Sequence, residues 1–179
     1  VFSFGDRPRP EAQQAVATLQ QLGVHCVMIS GDNARAAQAI AHEVGITEVR
    51  APVLPEEKAQ VVKSLHEGLP SGERVAMVGD GVNDAPALAA ADVGLAMPGT
   101  DVAMETAGLT LLRADLRLIP QRIALSRAVS RKIHQNLFWA FAYNVVGIPL
   151  AALGFLSPVV AGAAMAASSV SVITNALLL

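Results

Sequence analysis

Gly79-Asp80-Gly81-Val82-Asn83-Asp84-Ala85-Pro86-Ala87-Leu88 is the stretch on which the fold turns. It follows the apolar run 75–78, which reads as a buried strand. Gly79 and Gly81 permit a tight turn, and Pro86 suits the first turn of a following helix. Strand, oxygen-rich turn and helix start thus fall within a few residues, as in α/β domains that carry their chemistry at the carboxyl ends of strands. Asp80 and Asp84, with the amide of Asn83, are hard oxygen ligands suited to Mg²⁺, which shares its remaining sites with water and phosphate oxygens. The plainer alternative is an acidic strand-to-helix turn with a helix cap.

Outward from this stretch, strand-like runs stand at 24–30, 75–79, 93–97 and 109–112. Helical periodicity stands at 10–22, 34–44 and 55–66, with Ala12, Val16, Leu19 and Leu22 on one face of the first. The alternation predicts an α/β domain with a largely parallel sheet. A second strand ends in Ser30-Gly31-Asp32-Asn33. Its hydroxyl, amide and helix N-terminus make a phosphate cradle, though the same string is also an ordinary turn with an N-cap. Leu54-Pro55-Glu56-Glu57-Lys58 puts one lysine at the first turn of a helix, where a solvated lysine on a charged face is the alternative.

Charge divides the chain of 179 residues. Its net charge of -2 gives no hint of a nucleic-acid partner, but all 13 Lys and Arg lie at or before Lys132 and all 15 Asp and Glu at or before Asp115. The mean hydropathy of +0.45 therefore averages two different materials. The single cysteine, Cys26, excludes an intramolecular disulfide, fits a reducing compartment and sits in an apolar run that predicts a buried core thiol. The chain opens and closes inside apolar runs without an initiating Met, which reads as a piece of a longer protein.

A basic helix over 115–135 carries Arg117, Arg122, Arg127, Arg131 and Lys132. Uncharged runs follow at 137–156 and 159–179. At about 1.5 Å per residue each suffices for a hydrocarbon core of about 30 Å, so a membrane hairpin turning near 154–158 is expected. The positive-inside rule places the basic helix in the cytoplasm. Tyr143-Asn144 falls mid-span, and Pro149 cannot donate to the carbonyl of Val145. In the second span Met165 and Ser169 share a face, and a thioether suits Cu(I). Small residues at Gly162, Ala166 and Ser169 equally suit tight helix packing.

Taken in order, hydroxyl-G-D, P-x-x-K and G-D-G-x-N-D-x-P-A-L followed by a membrane hairpin resemble the C-terminal part of P-type ATPases. Their phosphorylation domain belongs to the haloacid dehalogenase superfamily. Asp6-Arg7-Pro8-Arg9-Pro10 resembles that family's D-x-x-R-P hinge. The Y-N and M-x-x-S-S pair resembles the copper-transporting, heavy-metal (type IB) branch. The resemblance implies a partial Rossmannoid phosphorylation domain over 1–114, a basic connecting helix over 115–135 and a transmembrane hairpin over 136–179. It implies Asp80 as the Mg²⁺ ligand, supported by Asn83 and Asp84, Lys58 neutralising the phosphoryl group, and Ser30, Gly31 and Asp32 holding its oxygens. Thr usually stands where Ser30 does. Tyr143, Asn144, Met165 and Ser169 are implied in the Cu⁺ transport site.

ATP, Cu(I) delivered by a copper chaperone, and a lipid membrane are the implied partners. The implied location is multi-pass in the plasma or inner membrane, with 1–132 cytoplasmic, and the implied activity is ATP-driven Cu(I) export. Ag(I) or Zn(II) is an alternative cargo, and a membrane-anchored phosphatase of the same superfamily or a non-catalytic module is an alternative class. The family's nucleophile belongs to a D-K-T-G-T string, and none stands in this chain. The chain alone is therefore expected to take up no phosphate from ATP. Radiolabelled ATP checks this, and acid-stable label on the isolated chain would overturn it.

Overall fold

In the computed structural model, residues 7–79, 82–98, 108–111, 113–155 and 157–178 are described. Asp6, Asp80, Gly81, Leu112, Leu156 and Leu179, all used above, lie outside them. The chain divides into two compact units, one ending at Pro120 and one beginning at Gln121.

The first unit alternates strands and helices. Helix α1 spans Ala12–Gln21, β1 Val27–Ile29, α2 Ala34–Val44, β2 Glu48–Arg50, α3 Lys58–Glu67, β3 Ala76–Gly79, α4 Ala85–Ala90, β4 Val93–Ala96 and β5 Leu109–Thr110. Among the described residues every pairing is parallel, β1 with β2 in one sheet, and β3 with β4 and β4 with β5 in another. The strand β2 was not expected. Glu48-Val49-Arg50 offers one apolar residue between two charges, and only its pairing with Val27, Met28 and Ile29 makes it a strand. Cys26 is half-buried rather than fully buried, and that burial still raises its thiol pKa.

Local signals place the helices. Helix α2 begins where Asn33 caps it, accepting from the Ala36 amide at 2.9 Å. It ends at Gly45, whose φ of 84° is open to glycine at no steric cost; the Ile46 amide bonds to Ala41 and the Gly45 amide to His42. Its buried face is Ala37, Ala41 and Val44. Pro86 stands in the first turn of α4, as its fixed φ favours. Helix α4 buries Ala87 and Leu88, and Leu88 packs with Ala96 and Met77.

The second unit contains most of α5, Leu118–Ala152, and all of α6, Pro158–Leu177. The expected basic helix and first apolar span are thus one continuous helix with Pro149 inside it. Helix α5 closes at Gly154, φ 76°, where the Phe155 amide reaches Leu150 and the Gly154 amide reaches Ala151. Ser157 caps α6, accepting from the Val160 amide at 3.3 Å. Among the described residues one helix is long and apolar enough to cross a membrane, Val159–Leu177, and none of it is buried. Residues 133–152 of α5 are long enough at about 30 Å, but His134, Gln135, Asn136 and Asn144 make them less apolar than the expected span.

Asp92 ties the start of β3 to α3. Its carboxylate accepts from the Val75 amide at 2.9 Å, lies 2.9 Å from His66 Nδ1 and 3.4 Å from Arg74 Nη1. The Val75 amide chiefly holds its pKa below the usual value. Because the folded pKa is depressed, this tie is fully formed above the unfolded carboxylate's value of about 4. It is lost as pH falls through the lower folded value. Amide exchange at Val75, corrected for intrinsic pH dependence, should accelerate as pH drops below about 4. Asp92→Asn should flatten that response, and an unchanged profile in the variant would remove Asp92 from the tie.

Candidate functional site

Strand β3 delivers Gly79 to its carboxyl tip, and the 3₁₀ turn Val82–Asp84 brings the chain back across it. A Cβ on Gly79 would stand 2.7 Å from Asp84 Cβ and 2.9 Å from Asp84 Oδ2. No real side chain tolerates that approach, so glycine is a steric requirement here. Asp84 Oδ1 accepts from Lys58 Nζ at 2.7 Å, across 26 residues. The two side chains are 18% and 13% exposed, so the pair is held largely out of water and outlasts an ordinary surface ion pair. Lys58 is the first residue of α3. The turn before it is fixed by the Glu57 carboxylate accepting from the Leu54 amide at 3.0 Å and by the Glu57 amide donating to the Leu54 carbonyl at 2.9 Å.

The Ser30 loop is anchored beside this arrangement in the chain. The Ser30 amide donates to Arg50 and its carbonyl accepts from Val53, one residue before Leu54. Its hydroxyl donates to Asp32 Oδ2 at 3.0 Å and accepts from the Asp32 amide at 3.1 Å. Gly31 faces the Val53 carbonyl, which an added Cβ would meet at an ordinary 3.5 Å. The structure therefore brings Lys58, Asp84 and Gly79 together, whereas the Ser30 and Asp32 side chains bond to each other. Asn83 is exposed in the 3₁₀ turn, and Asp80 lies outside the described residues.

A cavity of about 240 Å³ opens at the tip, lined by Arg9, Val78, Gly79, Asp84, Met97 and Leu116. Arg9 Nη1 also donates to the Ala114 carbonyl at 3.1 Å. Met97 and Leu116 went unrecognised in the sequence because apolar lining carries no motif. Next to Leu116, Asp115 and Arg117 form a fork, with Arg117 Nε 3.0 Å from Oδ1 and Nη2 2.9 Å from Oδ2. That hydrogen bonding lowers the Asp115 pKa and raises the Arg117 pKa, so both stay charged at the entry to α5.

Among the described residues no three His, Cys, Asp or Glu side chains converge. Of the expected Mg²⁺ ligands, Asn83 and Asp84 are described; both offer oxygen, the donor type that fits Mg²⁺, and Asp84 Oδ1 is bonded to Lys58.

In the second unit Tyr143 lines an apolar cavity of about 360 Å³ with Trp139, Ala142, Val146, Gly147, Leu150 and Ala164. The other three expected residues do not join it. Asn144 donates to the Ala140 carbonyl at 2.7 Å and Ser169 to the Met165 carbonyl at 3.1 Å, each within its own helix, while Met165 is 74% exposed.

A model of haloacid dehalogenase-like hydrolases matches residues 1–92. A probable copper-importing P-type ATPase A of Enterococcus hirae is 56% identical over 180 residues, covering 99% of this chain and 24% of that protein. A copper-exporting P-type ATPase of Staphylococcus aureus strain bovine RF122 is 55% identical, covering 99% and 22%. The chain thus spans about a quarter of the length of these relatives. The crystal structure of a zinc-transporting PIB-type ATPase in its E2.Pi state matches with a TM-score of 0.86 at 42% identity, over 97% of this chain and 28% of that one.

Gly79→Ala should destabilise the chain by about 1–3 kcal/mol, the scale of overpacking a close contact. Denaturant titration followed by circular dichroism reads it. A midpoint equal to wild type would show that the approach of Asp84 to Gly79 is not a steric constraint.

Proposed function

We infer a function from one premise: the chain belongs to the haloacid dehalogenase-like hydrolases, in their P-type ATPase branch. We propose that it supplies the phosphate and Mg²⁺ site, and part of the membrane path, of an ATP-driven Cu(I)-exporting pump. The aspartyl nucleophile would come from sequence outside this chain. The observation that carries the reading is the Lys58–Asp84 pair seated on Gly79, which joins two separate motifs at one strand tip.

In this reading Asp84 orients Lys58. The ammonium is fixed where negative charge develops on a transferring phosphoryl group, and a preorganised cation needs no reorganisation at that moment. The Ser30 hydroxyl exchanges its bond with Asp32 for a phosphoryl oxygen, and the Gly31 amide donates to another. Mg²⁺, when bound, supplies charge neutralisation, with Asp80 and Asp84 as its carboxylates and Asn83 beside them. Arg9, bonded to Ala114, ties the cavity's rim to the segment that leads into α5.

Cu(I) as cargo rests on the chemistry of residues 133–179, which hold no Asp, Glu, Lys or Arg but include the Met165 thioether. Two membrane spans, the first within α5 and the second α6, put residues up to Lys132 in the cytoplasm. Tyr143, Asn144, Met165 and Ser169 form the proposed transport site. Asn144 and Ser169 donate to their own helix carbonyls, which leaves the oxygen lone pairs of both side chains available to a ligand.

In the full-length protein Lys58→Met should lower phosphoenzyme formation from ATP by roughly 10²-fold, the scale of removing one preorganised donor. Lys58→Arg should restore part of it, and wild-type phosphorylation in Lys58→Met would sink the catalytic reading. Met165→Ala should abolish stimulation of ATPase activity by Cu(I) while leaving phosphorylation by inorganic phosphate intact. Unchanged Cu(I) stimulation and transport into inside-out vesicles would remove Met165 from the site.

A further inference from the structure

We propose that Asn175 is a positioning residue: with Lys132 and Asn136 it fixes the register of α6 against α5, and so where α6 presents its residues to Tyr143. Both amide functions of Asn175 are used between the helices. Oδ1 accepts from Lys132 Nζ at 2.9 Å, and Nδ2 donates to Asn136 Oδ1 at 2.8 Å, with Gln135 Oε1 at 3.4 Å. An ammonium only donates, so the orientation of the Asn175 amide is set by Lys132. Lys132 and Asn136 stand four residues apart on one face of α5 and grip the same side chain. Asn175 and Lys132 are both partly shielded from solvent.

Among the described residues, other polar side chains of the unit stay within their own helices: Asn144, Ser169, Ser171 and His134 each bond to a carbonyl there. Tyr143 of α5 and Ala164 of α6 line one apolar cavity between the helices. Gly147 and Gly162 have open space where a Cβ would stand, so they give no steric notch. In lipid, where tails are as apolar as the side chains, helices associate through van der Waals packing and polar bonds, and a polar bond holds only in the register that aligns its partners. The position agrees with this role. Lys132 lies twenty residues before the end of α5 and Asn175 eighteen residues after Ser157. At about 1.5 Å per residue each is close to one hydrocarbon thickness from the turn at Gly154. The hairpin is thus tied at both ends, by the turn and by this clamp.

The inference rests on the membrane reading only for its setting. Carbonate extraction of membranes carrying the full chain tests that reading by itself. Register is read separately, in a Cys26→Ser background, with Val146→Cys paired in turn with Ala161→Cys, Ala164→Cys and Ser168→Cys and treated with a short thiol crosslinker. The 146–164 pair, whose residues line one cavity, should crosslink preferentially. Asn175→Leu and Lys132→Met should each reduce that preference roughly five-fold, the scale of an interhelical hydrogen bond in a membrane. Asn175→Asp, which still accepts from Lys132, should retain it. A preference for 146–164 that is unchanged in both Asn175→Leu and Lys132→Met overturns the proposal, whether or not carbonate extracts the chain.

Discussion

The closeness of Asp84 to Gly79 is the constraint from which the β3 tip of the first unit is built. Because Gly79 carries no side chain, the returning 3₁₀ turn lies directly on the tip of β3. Asp84 is thereby delivered to Lys58, and the ion pair fastens the start of α3 to the start of α4. The pair is mostly out of water, so losing either partner strands a charge in a poorly solvated place. Close packing of Ala87, Leu88 and Ala96 behind it keeps the turn from swinging away.

The second unit obeys a different physics. Phe155, Val159 and Leu177 stand more than three-quarters exposed, apolar surface of the kind that marks contact with a membrane or another protein segment. Backbone groups are satisfied inside each helix, and most polar side chains fold back on their own carbonyls. Specificity between the helices then falls to a few polar bonds, and Asn175 gathers them at the end opposite the turn.

Several features were legible because they are local. Asn33 and Gly45 bound α2, Pro86 opens α4, and Gly154 closes α5, each through a backbone conformation its own residue favours. The strand at Glu48–Arg50 was not legible, since its sequence has no apolar alternation and its pairing with Val27–Ile29 supplies the reason for its existence. The continuity of α5 was also hidden. The change from charged to uncharged at Lys132 suggested a boundary, yet helix propensity does not stop where charge stops. Of the residues proposed for the transport site, Tyr143 borders a cavity, but Asn144 and Ser169 satisfy themselves locally, which a motif cannot reveal.

The sequence by itself determined the α/β class, the oxygen-rich motifs at strand ends and the division into a charged stretch up to Lys132 and an uncharged remainder. These depend on residue chemistry and on spacing within one or two turns. Tertiary structure alone decided which distant groups meet: Lys58 with Asp84 across 26 residues, Arg9 with Ala114 across 105, and Lys132 with Asn175 across 43. Such meetings depend on how packed elements are placed in space, and side-chain spacing along the chain carries no record of that.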